Sequence, residues 1–375
     1  MTKMVTDEDI KVSVCIDCAR HESLKKVIKE NTSIGLCGFC GRTDAVVRCL
    51  EDLQPMTRVF KALIRFYWHE FDYNRHFGGV DSIIDLFDDD DNLVVKPTVT
   101  DQYRDELDYL IQETVYPDED KGISIYAGHN DGHRMANHAI SNKSNNFALS
   151  NISLKRAIQG FNGLLNDHKT EMESVIRKGE IWFRARIGFE KKIEPKSLDV
   201  WENWEVAYLP YKGEEIGSAP DPGDGRLNGK NEPVLYISSK PHTALAETRP
   251  EPGDYVSIGG FKVIRDLKIL VFNQDIAHFS QNENRLDKYE AIYAYDQLIS
   301  EPITKANKKS YKITQGFADE IKNLGYDGVQ YRSAVSDGVN LCIFDVSSAI
   351  FEKGHSKSIF VKKVSYDFDE VRSSI

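Results

Sequence analysis

The chain has 375 residues, 41% of them hydrophobic and 29% charged. That is ordinary globular composition, with length for two or three domains and a substantial core. A formal net charge of −11 argues against nucleic-acid binding by the whole surface, because neutralising phosphates takes an excess of lysine and arginine. No apolar run is long enough to span a bilayer, and Met1 to Asp9 lack a signal-peptide core, so a cytoplasmic protein that neither enters a membrane nor binds nucleic acid is expected.

The first feature is two C-x₂-C pairs, Cys15/Cys18 and Cys37/Cys40. Two knuckles at this separation fit one four-thiolate zinc site, and four thiolates leave no place for water, so the zinc is expected to be structural. Gly35, Gly38 and Gly41 supply the backbone freedom that knuckles use. His21 is a substitute ligand that the spacing does not require. Cys49 and Cys342 read as buried small apolar residues. Residues 1 to 60 hold nine lysines plus arginines and nine acids, so no basic stripe turns the zinc segment toward nucleic acid.

Residues 52 to 80 have helical periodicity, with Val59, Leu63, Phe66 and Tyr67 as a core or interface stripe. Asp88 to Asp91 reads as a solvated loop, since adjacent carboxylates lack the spacing of a calcium site. A second helix is expected over 101 to 117, carrying Tyr103, Leu107, Leu110 and Ile111. His129, His133 and His138 invite a metal reading, but Asn130 to Gly132 favours a turn, and a loop is expected there. Residues 151 to 178 read as an amphipathic helix that Gly160 and Gly163 can break.

The second half is mixed. Ile181 to Arg186 reads as a strand, which puts Arg184 and Arg186 on one face. Two arginines on an apolar strand are costly to bury unless an anion meets them. The central stretch runs from Gly225 to Glu247: Arg226 in a loop, Tyr236 on the strand Val234 to Ile237, and a helix opened by Pro241 that carries Glu247 beside its apolar face, where solvation is poor. Downstream lie Tyr311-Lys-Ile-Thr-Gln, then Gly325-Tyr-Asp-Gly-Val-Gln-Tyr-Arg-Ser333, then Gly338-Val-Asn-Leu-Cys-Ile-Phe344, which opens the last expected strand. No phosphate-binding glycine loop follows a strand, so a kinase or Rossmann reading has no support.

Taken in order, these stretches resemble the RES domain family across residues 176 to 350. The resemblance implies an α+β chain: a zinc-ribbon-like segment at 1–50, a helical N-terminal domain at 51–175, a mixed-sheet RES domain similar to ADP-ribosyltransferases at 176–350, and a C-terminal tail at 351–375. It implies an enzyme that breaks the nicotinamide–ribose bond of NAD, as a phosphorylase or glycohydrolase, and acts as a toxin or defence effector. On that pattern Arg184, Glu247 and Ser333 are the expected catalytic residues, and Arg186, Arg226, Tyr236 and Asn340 bind the substrate. NAD is then substrate rather than cofactor. An antitoxin or regulatory protein, and a second copy of the chain, are the candidate protein partners. The alternatives are ADP-ribosyl transfer to a protein, or a zinc-dependent nucleic-acid- or partner-binding module with an inactive RES half. The N-terminal half resembles helical nuclease domains of the HEPN type, but Arg65 with His69 and Arg134 with His138 are spaced too closely for that nuclease pattern.

Overall fold

The computed structural model describes residues 13–30, 33–43, 45–49, 55–68, 70–88, 92–96, 104–112, 122–125, 154–193, 206–218, 221–301 and 311–365. The expected loop of His129, His133 and His138, most of the acidic run at Asp88 to Asp91, and His69 lie outside them. The chain divides into two compact units, residues 1–151 with 274–294, and residues 152–273 with 295–375.

The first unit opens with β1 (Ser13–Cys15), α1 (Glu22–Glu30), β2 (Ser33–Gly35) and β3 (Ala45–Cys49), whose strands form an antiparallel sheet in the order β1-β3-β2. This small sheet lies within the segment expected to be zinc-ribbon-like, ahead of the expected helical domain. Its strands are three to five residues long, too short for period-2 alternation to register. In α1, Leu24, Val27 and Ile28 recur at helical spacing and are buried, with Glu22 in the first turn and Lys29 in the last, where each complements the helix dipole. The expected helix over 52 to 80 is divided: α2 (Pro55–Tyr67), α3 (Glu70–Tyr73), then a 3₁₀ turn at Arg75–Phe77. Pro55 suits the first turn of α2 because its missing N–H has no intrahelical partner there. Val59, Leu63 and Phe66 are buried as core, and Phe60 packs between Phe39 and Phe87. Arg65 is also fully buried, with its guanidinium 3.1 Å from Glu283 and 3.3 Å from the Ser124 carbonyl. Within the stretch expected as the second helix, the described residues form α4 (Arg104–Gln112), with Leu107 and Ile111 buried.

The second unit begins with α5 (Leu154–Met172), which runs unbroken through Gly160 and Gly163. Gly160 fits against the Tyr295 hydroxyl, which a Cβ would approach to 2.7 Å. Phe161, one residue on, stacks on Phe317 at 4.2 Å. Packing therefore outweighs the helix cost of two glycines, about 1 kcal/mol each. The residues expected as the end of this helix instead form β4 (Glu173–Ile176), followed by β5 (Ile181–Ile187), β6 (Lys191–Ile193), β7 (Ala207–Leu209), α6 (Gly213–Ile216), β8 (Leu235–Ser238), α7 (Pro241–Glu247), β9 (Tyr255–Val263) and β10 (Leu267–Val271). Next come α8 (Glu283–Ser300), whose first turns belong to the first unit, α9 (Tyr311–Asn323), β11 (Gly328–Arg332), β12 (Val339–Ile343) and β13 (Ala349–Phe360).

Eight strands form one mixed sheet in the order β13-β9-β5-β8-β12-β11-β10-β4. Only β10 and β11 run parallel, and the chain between them carries α8 and α9, as a parallel crossover requires. Trp182, Leu235, Ile237, Phe261, Ile269, Leu341 and Ile343 form its buried core. The stretch expected as a C-terminal tail supplies most of β13, an edge strand, so β12 is not the last strand. The β13–β9 ladder at the edge shifts register between Glu352 and Lys357, and the sheet also parts at its centre. β5 pairs with β9 from Ile181 to Ile187, yet meets β8 at a single pair, Phe183 with Ser238. Beyond that pair the two strands part.

Among the described residues no helix is long and apolar enough to cross a membrane.

Candidate active site

The parting of β5 and β8 opens a cavity of about 420 Å³ within the second unit. β5 gives it Phe183, Arg184 and Ala185, and β8 gives it Tyr236, Ile237 and Ser238. The end of α7 contributes Ala244, Glu247, Thr248 and Arg249; Arg226, Tyr311, Tyr331 and Asn340 complete the lining. Five of the seven expected site residues thus meet at one cavity: Arg184, Arg226, Tyr236, Glu247 and Asn340.

Arg184 bridges the gap itself. Its Nη1 donates to the Tyr236 carbonyl at 2.8 Å, so a side chain supplies the hydrogen bond that the ladder no longer makes. Burial pushes the Arg184 guanidinium below its ordinary pKa, the cost of placing a cation away from water.

Arg226 sits in a loop held from several sides. The Tyr236 hydroxyl donates to Asn228 Oδ1 at 2.9 Å and accepts from the Leu227 amide at 2.8 Å. Gln315 Nε2 on α9 donates to the Gly225 and Asn228 carbonyls at 2.9 and 2.8 Å, and the Thr314 hydroxyl donates to the Arg226 carbonyl. The Arg226 guanidinium in turn donates to the Ile299 carbonyl. The Thr-Gln pair quoted from the sequence is therefore the support of the arginine loop. Tyr236 is half-buried, and desolvation raises its phenol well above the ordinary pKa, so it serves as a neutral hydrogen-bonding group.

Glu247 ends α7, directly after the buried face of that helix. It is exposed, which corrects the expectation of poor solvation: the apolar residues of α7 turn inward, and the carboxylate stands at the helix end. Its Oε1 accepts two hydrogen bonds, from Ser333 Oγ at 2.7 Å and from Asn340 Nδ2 at 2.6 Å. Both donors are buried. Asn340 is fixed at its other end, where Oδ1 accepts from Ser238 Oγ at 2.7 Å. Ser333 follows the end of β11; its amide donates to the Gly338 carbonyl at 3.1 Å, closing a tight loop. That loop lies so near α7 that a Cβ on Gly338 would come within 2.1 Å of Thr243 Oγ1. Glu247 is the only carboxylate among the described residues that line the cavity.

Arg186 shares the strand with Arg184 but is exposed and does not line this cavity. Its guanidinium lies 5.1 Å from the centre of the Tyr211 ring and donates to the Glu215 carbonyl. Ser238, Thr248, Arg249, Tyr311 and Tyr331 also line the cavity, beyond the residues expected there. Three of them lie within stretches already quoted, and Arg249 had a signal of its own, an arginine before proline at a helix end.

The first unit holds a second constellation. The sulfurs of Cys15, Cys18, Cys37 and Cys40 all lie within 4.8 Å of one another, so these residues could hold a metal ion. Cys15 Sγ stands 3.8 Å from Cys40 Sγ, and Cys18 Sγ 3.9 Å from Cys37 Sγ. Four sulfurs in a tetrahedron, each ~2.3 Å from a central zinc, stand ~3.8 Å apart. Gly41 takes a φ of 69° just after the second pair, a conformation that glycine adopts freely. His21 is not among the four. It is mostly buried, and its Nδ1 accepts from the Ser23 amide at 3.2 Å. Cys342 is fully buried, with its thiol pushed up to about 12 by desolvation, an inert core residue as expected.

Residues 202–369 match the family model described as RES domain. The match takes in Arg226, Tyr236, Glu247, Ser333 and Asn340, while Arg184 and Arg186 lie ahead of it on β5. No curated protein matches the chain. One solved structure that does is the crystal structure of the M. tuberculosis MbcT–MbcA toxin–antitoxin complex, at 12% identity over 55% of this chain and 92% of that chain, with a TM-score of 0.27.

Proposed function

We propose that this chain, through the RES domain at residues 202–369, is an enzyme that breaks the bond between nicotinamide and ribose in NAD. The observation that carries the reading is the make-up of one cavity: a single carboxylate, anchored by Ser333 and Asn340, faces the same space as Arg184 and Arg226. Ordinary glycoside cleavage needs a second carboxyl group to protonate the leaving oxygen. Nicotinamide needs none. Its ring nitrogen is cationic in NAD, and the electron pair of the breaking bond neutralises it. What remains is a ribose cation, which a preorganised carboxylate stabilises. Guanidinium groups match the oxygens of a pyrophosphate, and Tyr311 and Tyr331 supply flat apolar surface. The cation is then captured by an oxygen of water, which releases a proton to solvent, or by an anionic oxygen of phosphate, which has none to lose; this distinguishes a glycohydrolase from a phosphorylase.

Zinc fits the four-cysteine cluster as a structural ion that ties β1 to the loop after β2. The family resemblance extends the reading to a toxin or defence effector restrained by an antitoxin or regulatory protein.

The test is incubation of the full chain with NAD, with and without phosphate, and identification of the products. Release of nicotinamide with ADP-ribose identifies a glycohydrolase, and release with phosphorylated ADP-ribose a phosphorylase. Intact NAD in both arms would reject the proposal. Expression in cells with NAD measured over time tests the effector role: NAD should fall before growth stops.

A further inference from the structure

Arg249 stands where the backbone favours another residue. Thr248 caps α7, and Arg249 follows it with a φ of 49°. At that position after a helix, glycine or asparagine is usual, because a Cβ crowds the left-handed conformation. The next residue is Pro250, whose ring favours extended backbone in the residue before it. Among the described residues, Asn231 is the one other non-glycine with positive φ.

Arg249 also lines the cavity. Arg184 and Arg226 each have a donor engaged with a backbone carbonyl, whereas the Arg249 guanidinium makes no hydrogen bond or ion pair among the described residues. A side chain kept against local preference at the rim of a site, with its donors available, indicates a demand for that side chain.

We infer that Arg249 is a third guanidinium of the site and a substrate-binding residue that contacts the pyrophosphate of NAD. The inference rests on the proposed NAD-cleaving function and deepens it. NAD carries two phosphate charges and one pyridinium charge. Once nicotinamide leaves, ADP-ribose keeps both negative charges, so Arg249 also holds the product.

Three variants of the full chain test this: Arg249→Gly, Arg249→Asn and Arg249→Lys. Glycine and asparagine accept the positive φ, so their melting temperatures should not fall. KM for NAD and the inhibition constant of ADP-ribose should both rise about 10- to 100-fold, the range of a hydrogen bond to a charged group, with kcat little changed. Lysine keeps the charge but not the fork and should recover part of the loss. A glycine variant with the parent's KM and inhibition constant overturns the Arg249 assignment and leaves the NAD reading standing. If the parent releases no nicotinamide, the NAD reading fails. ADP-ribose binding by calorimetry then decides Arg249 separately: equal binding by parent and glycine variant, or none by either, overturns it.

Discussion

Ser333 donates its hydroxyl hydrogen to Oε1 of Glu247 across 2.7 Å, although the two residues are 86 positions apart. Asn340 Nδ2 reaches the same oxygen at 2.6 Å. Oε2 accepts no hydrogen bond among the described residues. The carboxylate is held by one oxygen, with the other available, which suits a group that must meet a charge formed only in the transition state.

Two donors on one oxygen are partly redundant. Ser333→Ala and Asn340→Ala should each lower kcat roughly three- to tenfold, because the remaining donor still orients the carboxylate. Without either donor the carboxylate is free to swing into solvent, and the double variant should lose more than the product of the single losses. A double-mutant cycle measures this; strictly multiplicative effects would count against a shared anchoring role.

Arg184 combines a binding role with a structural one. Arg184→Ala should raise KM for NAD and also lower the melting temperature, since the Tyr236 carbonyl loses the donor that spans β5 and β8. An unmet buried carbonyl costs about 1–3 kcal/mol. Arg184→Lys should restore stability only in part, because an ammonium cannot serve the carbonyl and a phosphate in the same fork geometry. An alanine variant with the parent's melting temperature and KM would refute both roles.

Metal analysis of the purified chain should find about one zinc, lost on changing Cys15 and Cys37 to serine. Chelation should lower the melting temperature, while part of the NAD turnover survives. A folded chain free of metal, equally stable with chelator, would remove the ion from the account.

His21 sets a pH dependence. Burial, the largest influence, pulls its imidazole down to about 4, against an opposing pull from Asp275. The folded chain therefore keeps His21 neutral where the unfolded chain, near 6.5, already binds a proton. The unfolded state binds more protons between these two values, so stability should fall as pH drops from about 6.5 to 4 and should no longer depend on this group below that. His21→Gln should flatten this part of the melting-temperature profile. Parallel profiles for parent and variant would show that His21 is not held neutral.

The site was more legible in the sequence than the fold around it. Glu247, Arg226 and Tyr236 sit in one strand–helix unit, where local order already places them close together. Ser333 and Asn340 were legible as neighbours of recognisable strand ends, but their shared acceptor depends on β11 and β12 bringing a short loop against α7, a tertiary fact. The parting of β5 from β8 had no sequence signal, because both strands read as ordinary apolar runs. This is also why Arg186 could not be separated from Arg184: both share a strand face, and only Arg184 faces the opening. Gly160 and Gly163 looked like helix breaks because propensity takes no account of Tyr295 and Phe317 packed against α5.

The most direct test is nicotinamide release from NAD by the parent and by Glu247→Gln, with binding and thermal melting measured on the same samples. The account predicts that the parent releases nicotinamide. It predicts that the glutamine variant folds and binds NAD like the parent but turns it over about a hundred- to a thousandfold more slowly, the usual worth of a preorganised charge. A glutamine variant that releases nicotinamide at the parent's rate, or one that loses folding, binding and turnover together, would contradict it.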